Sequence, residues 1–258
     1  MPAMEPALIW VPTLLLVTVR VAGLMLFAPV FSSSVVPVKL RGAISVAMGL
    51  AVVARLAAPV ALPPGWFELV MGAGCEFLIG AAIGYAAQLI FAGVELGAFH
   101  ISSQMGLTLG AVMDPLRSDA PPGVAGLFRL LAVVVFLGIG GHRALVGGLL
   151  ETFQTLPPLG FGPSAALVNT VVAMLGASFV LALKVAAPVL IAMLLTTVAL
   201  GLLHKTIPQC NLLSVGLPTR AMLALLVVAC SLGVLAPLVE AAAAQLSRNI
   251  HALTAGVR

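Results

Sequence analysis

Stretches without a charged side chain limit what this chain can fold into. Phe77 to Val94, Thr152 to Leu183, Val185 to Leu203 and Ala221 to Val239 contain no Asp, Glu, Lys or Arg. Each nears or exceeds the ~20 residues an α-helix needs to cross about 30 Å of hydrocarbon. In lipid the backbone must bond its own N–H and C=O groups, so such runs are helices. Of 258 residues, 62% are hydrophobic and 8% charged, and a mean hydropathy of +1.22 lies outside the range of soluble domains. The fold class is therefore an all-α membrane protein.

Hydropathy and helix breakers predict about six long helical segments, near residues 7–28, 43–58, 67–99, 124–150, 165–203 and 219–246. Pro29 and Pro37 close the first, and Pro59, Pro63 and Pro64 separate the second from the third. The first segment is read as a retained helix, since Glu5 precedes it and Arg20 interrupts its far side, unlike a signal peptide. Pro188 lies deep inside the fifth segment and predicts a kink there. The Pro- and Gly-rich stretch from Thr155 to Ser164 is the best internal boundary, dividing residues 1–154 from 155–258 within one membrane unit.

Gly80/Gly84 and Gly93/Gly97 recur at four-residue spacing in the third segment. Small residues at that spacing let helix backbones approach closely, which predicts a subunit with packed neighbours. If all six segments cross the membrane, Lys39, Arg41, Arg117, Lys205 and Arg220 fall on one side and only Arg248 and Arg258 on the other. The positive-inside rule then places both termini outside the cytoplasm. The net charge of +4 is scattered, so no basic patch points to nucleic acid.

Ionisable groups inside the membrane are functional candidates, which singles out Arg20, Glu76, Glu95, Arg129, Arg143, Glu151 and Lys184. Arg20 and Lys184 lie deepest, and each needs a carboxylate, carbonyl or water partner. Glu76 and Glu95 sit toward opposite ends of one helix, an arrangement that favours structural pairing over a proton relay. Cys75, Cys210, Cys230 and the four His residues are dispersed, so neither a metal site nor a cofactor site is expected. There is no G-x-S-x-G, H-E-x-x-H or phosphate-loop motif. These residues read as non-enzymatic, with a small-solute or ion secondary transporter as the alternative function.

Three stretches resemble the FliR family of flagellar biosynthesis proteins: RVAGLMLFAPVFSSSVVPVKLRGAIS from Arg20, GYAAQLIFAGVELGAFHISSQMGLTLGAVMDP from Gly84, and LKVAAPVLIAMLLTTVALGLLHKTIPQCNLLSVGLPTR from Leu183. The similarity is collinear over nearly the whole chain. Its most specific parts are Gln104-Met105-Gly106-Leu107 followed by Asp114-Pro115, and Pro208-Gln209-x-Asn211 followed by Gly216-x-Pro218.

The resemblance implies a subunit of the flagellar type III protein export gate in the bacterial inner membrane, at the flagellar basal body. FliP-like, FliQ-like and FlhB-like proteins would be its partners, with unfolded flagellar proteins as the cargo and membrane lipid around it. It also implies a FliP-like front part (1–154) and a FliQ-like helical hairpin with a tail (155–258). Gln104, Met105, Gly106, Leu107, Gly110, Met113, Asp114 and Pro115 would then form a channel plug, and Lys205, Pro208, Gln209, Asn211 and Pro218 a cytoplasmic-side partner contact. Thr196 and Thr197 stand where many relatives carry Asp, Glu or Asn.

Overall fold

The apolar runs are helical. In the computed structural model, which describes residues 4–32, 36–56, 58–60, 65–106, 123–160, 165–206 and 212–255, no strand occurs among the described residues. The helices are α1 (Met4–Phe27), α2 (Val38–Val53), α3 (Trp66–Gln104), α4 (Gly123–Gly138), α5 (Gly141–Thr155), α6 (Ala165–Thr206) and α7 (Leu212–Ala255).

Two features depart from the six-segment expectation. The fourth segment is broken into α4 and α5, which bend by 61°. Gly140 supplies the break with a φ of +75°, a left-handed conformation that glycine adopts without a Cβ clash. The second departure is span number: among the described residues four helices are long and apolar enough to cross a membrane, or five if the bent pair counts as one span. With 16 residues, α2 is short of spanning length. The six-fold alternation behind the charge-based orientation therefore does not hold as drawn.

Contacts divide the chain into two compact units, one comprising residues 1–89, 140–175 and 243–258, the other 90–139 and 176–242. This grouping by contact is distinct from the sequential division at residue 155.

In the first unit α1 lies against α3 at backbone distance. A Cβ on Gly80 would run into the Arg20 carbonyl, and one on Gly84 would stand 2.7 Å from the Leu24 carbonyl. The helices meet over two successive turns because those positions carry no side chain. Phe27 then packs edge-on against Phe77 and Tyr85, with ring centroids 6.4 and 6.3 Å away. Helix α2 rests on α1 through Gly49, where a Cβ would meet the Thr18 hydroxyl at 2.5 Å.

The second unit repeats the device. A Cβ on Gly93 would lie 2.6 Å from the Ser178 carbonyl, and one on Gly97 2.7 Å from that of Ala182, so α3 and α6 are also in backbone contact. Phe91 and Phe136 join α3 to α4 edge-to-face at 5.3 Å. Near their connection α6 and α7 run antiparallel: Arg220 meets Thr197, and Gly216 faces Leu200.

Gly80→Val forces a branched side chain into the Arg20 carbonyl, where overpacking costs about 1–3 kcal/mol or more. Its membrane-retained level and its aggregation temperature in detergent should both fall. Gly74→Ala, where nothing lies within 4 Å, should leave both unchanged. Equal behaviour of the two variants would show that α1 and α3 are not in backbone contact.

Candidate functional site

The densest polar arrangement surrounds Arg20. Its side chain is fully buried, as is that of Glu76. Arg20 Nε donates to Glu76 Oε2 at 2.5 Å, Nη1 donates to Thr152 Oγ1 and to the Leu156 carbonyl, and Nη2 donates to the same carbonyl, the last three at 3.2 Å. The guanidinium also lies 4.3 Å from the centre of the Phe153 ring, a cation–π contact. The second carboxylate oxygen, Glu76 Oε1, accepts the Leu159 N–H at 3.0 Å.

The local sequence creates the need for these bonds. Helix α5 ends at Thr155, and Pro157 and Pro158 follow with no N–H to offer. Leu156 lies just past the helix end, and the two N–H groups that could bond its carbonyl are engaged elsewhere, Leu159 on Glu76 Oε1 and Gly160 on the Pro157 carbonyl, so the guanidinium serves in their place. Leu159 holds a φ of +67°, uncommon for a branched residue. Its side chain occupies the space above Gly72, where a Cβ would collide with it. One buried pair thus ties α1, α3 and the turn after α5 together.

Glu95 lies 3.2 Å from Arg129 Nε, both partly exposed. Glu95 Oε1 accepts no hydrogen bond, so the distance marks Coulombic attraction without donor alignment. Glu76 and Glu95 are therefore each set against an arginine. Lys184 differs: it is exposed on α6 and has no ion pair or hydrogen bond among the described residues. No group of three His, Cys, Asp or Glu side chains among the described residues could hold a metal ion.

At the head of the expected plug, Gln104 is exposed and Met105 is buried. Met105 N–H bonds the Ile101 carbonyl and Gly106 N–H that of Ser103, both at 3.1 Å. Gly106, with φ +76°, ends α3 in the left-handed cap that favours glycine. Leu107, Gly110, Met113, Asp114 and Pro115 lie outside the described residues. In the second expected contact region Lys205 is exposed near the end of α6 and Pro218 is exposed inside α7, while Pro208, Gln209 and Asn211 lie outside the described residues. Arg220 Nη2 donates to Thr197 Oγ1 at 3.0 Å.

Sequence reasoning singled out Arg20, Glu76 and the close-packing glycines of α3, Gly72 among them, but missed Thr152, Leu156 and Leu159. The double proline after Leu156 signals only that the helix ends there, which leaves its last carbonyls to other donors.

The sequence profile described as Bacterial export proteins, family 1, matches residues 11–246. Flagellar biosynthetic protein FliR of Escherichia coli (strain K12) is 30% identical over 230 residues, covering 86% of this chain and 84% of that protein. Flagellar biosynthetic protein FliR of Bacillus subtilis (strain 168) is 28% identical over 217 residues, covering 81% and 82%. Secretion system apparatus protein SsaT of Salmonella typhimurium is 29% identical over 166 residues, covering 62% and 61%.

Removing one member of a buried ion pair strands the other and costs about 3–5 kcal/mol. Arg20→Met and Glu76→Met should each lower the level of membrane-retained protein and its aggregation temperature in detergent. The double variant Arg20→Met/Glu76→Met should recover part of the loss, since no charge is left buried but the Leu156 carbonyl remains unbonded. Additive losses in the double variant would show that the pair is not coupled.

Proposed function

Because the chain belongs to the bacterial export proteins, family 1, we propose that it is a subunit of a type III protein export gate, serving flagellar assembly. In this reading it forms an inner-membrane channel for unfolded flagellar proteins with FliP-like and FliQ-like proteins, is joined by an FlhB-like protein, and resides in the flagellar basal body. The carrying observation is the collinear match over most of a flagellar relative, 86% of this chain against 84% of that protein. A secretion-apparatus relative matches 82% of this chain and 83% of its own length at 27% identity, so the choice of the flagellum rests on the motif resemblance and on the 30% identity of the flagellar relative.

Several structural features support a subunit over a self-contained transporter. Arg20 and Glu76 are buried within 1% of full enclosure, yet their bonds tie helices together and leave them no part in moving a solute. Hydrophobic stretches of 39, 36 and 35 residues exceed what about 30 Å of hydrocarbon can cover at ordinary tilt. Exposed large apolar side chains run along α6 and α7, a surface for protein as well as lipid. The antiparallel α6–α7 pair fits a FliQ-like hairpin in residues 155–258, with residues 1–154 as the FliP-like part.

Residues 104–115 are the proposed plug, and Lys205, Pro208, Gln209, Asn211 and Pro218 the proposed cytoplasmic-side contact. Met105 and Met113 suit a seal because a thioether chain fills irregular gaps, and Gly106 starts the stretch with a turn that redirects the chain out of α3. Deletion of the gene should abolish flagellin export and motility, and the intact gene should restore both. Normal export without the gene would overturn the reading.

The plug has its own test. Deleting Leu107 to Gly110 keeps the Gly106 cap and the helices while shortening the seal. Cells carrying the assembled basal complex without a filament should then admit a small dye, with complex yield unchanged. Loss of the complex itself would show that the stretch is packing and not a seal.

A further inference from the structure

A charged side chain with no partner among the described residues stands in the middle of an apolar helix face. Lys184 is exposed on α6 and has no hydrogen bond or ion pair among the described residues. The same face continues through Val180, Ile191 and Leu195, all exposed, at spacings that stack on one side of a helix. The apolar stretch Val168–Leu203 contains 36 residues, roughly 54 Å at 1.5 Å per residue. Lys184 lies near its middle, and a lysine stem snorkels only over its own length.

Neither placement in a bilayer satisfies this helix alone. With the stretch centred in hydrocarbon, the ammonium sits in lipid, where charged groups pair with one another or line a wet cavity. Sliding the helix until Lys184 reaches the headgroups pushes Val168, Val172, Phe179 and Val180, all exposed, out of the hydrocarbon. In both cases a protein surface must cover this face.

The local chemistry says what that surface carries. Pro188 has no N–H, so the Lys184 carbonyl loses its helical donor and the turn becomes more polar. Phe128, Lys184, Pro188, Ser231 and Leu235 line a small cleft with room for about one water. The Ser231 hydroxyl is already engaged with the Val228 carbonyl at 3.0 Å, leaving the ammonium as the cleft's free donor among the described residues. A neutral partner would leave its charge uncompensated, and a second copy docked symmetrically here would bring lysine to lysine.

We propose that Lys184 is the recognition point for a partner membrane protein whose helix carries an Asp or Glu within its apolar run. The partner's carboxylate seats beside Lys184 at the Pro188 bend, and its apolar side chains cover Val180, Ile191 and Leu195. The proposal deepens the export-subunit reading and rests on it only for placing the partner in the same membrane assembly.

A benzophenone amino acid at Val180 or Ile191 tests the contact with Lys184 intact, in the bacterium whose own copy has been replaced by the tagged chain. Mass spectrometry should find crosslinked peptides from an apolar helix of another protein, with an Asp or Glu about one turn from a Val180 crosslink or about two turns from an Ile191 crosslink. Peptides lacking an acid, peptides from a second copy, or lipid adducts alone would overturn the proposal. In parallel, Lys184→Met and Lys184→Glu should lower recovery of that partner about tenfold or more relative to chain present in the membrane. Lys184→Arg should retain it, and exchanging the partner's acid for Lys should rescue Lys184→Glu. Unchanged recovery with Lys184→Met would overturn it. Flagellin export with and without the intact gene is read in the same cells, so failure of the export reading is seen separately from failure of the contact.

Discussion

The Arg20–Glu76 pair is the interaction on which the first compact unit depends. A buried guanidinium is costly unless its donors are used, and here four of its five N–H groups have partners on Glu76, Thr152 and Leu156. The carboxylate is equally committed, holding Arg20 with one oxygen and the Leu159 N–H with the other. Exchanging such a pair for apolar residues need not destabilise a fold, but its directional bonds favour one registration of helices over alternatives. That registration is set at the same place by Gly80, whose missing side chain brings α3 onto the backbone of Arg20 itself. Steric closeness and charge pairing therefore choose the same alignment of α1 and α3.

Between hydrocarbon-facing helices there is no hydrophobic force of the kind that builds a soluble core, so contact must come from shape and from polar bonds. The second unit uses mainly shape. Gly93 and Gly97 bring α3 to the carbonyls of α6, and Phe91 meets Phe136 edge-on. Its polar bonds are peripheral: Arg129 beside Glu95 is half exposed, and the Arg220–Thr197 bond joins α6 to α7 near their connection. Exposed apolar side chains on α6 and α7, with Lys184 among them, are surfaces that this chain leaves to its surroundings.

Hydropathy made the helices legible, since a charge-free run of spanning length has no other stable backbone state in lipid. The kink residue Pro188, the close-packing glycines and the deep cations were also visible, because their effects follow from residue type. The breaking of the fourth segment was harder to see. Gly138, Gly140 and Gly141 are tolerated within apolar helices, and only the left-handed φ at Gly140 turned flexibility into a bend. The short α2 was overvalued for a related reason: hydropathy marks an apolar segment, while helix length decides whether it can span.

By itself the sequence determined an all-helical membrane chain, a turn around Pro157 and Pro158, and motifs placing it among bacterial export proteins. These properties are local, set by side-chain polarity, backbone chemistry and short ordered patterns. Tertiary structure decided that Arg20 meets Glu76, that Thr152 and the Leu156 carbonyl complete its shell, and that Lys184 stays exposed. Those pairings join residues 56, 132 and 136 positions apart. No local rule selects among the many partners a buried arginine might take at such separations. The choice is made only when glycine-lined helices come close enough for one carboxylate, one hydroxyl and one unbonded carbonyl to fall within reach together.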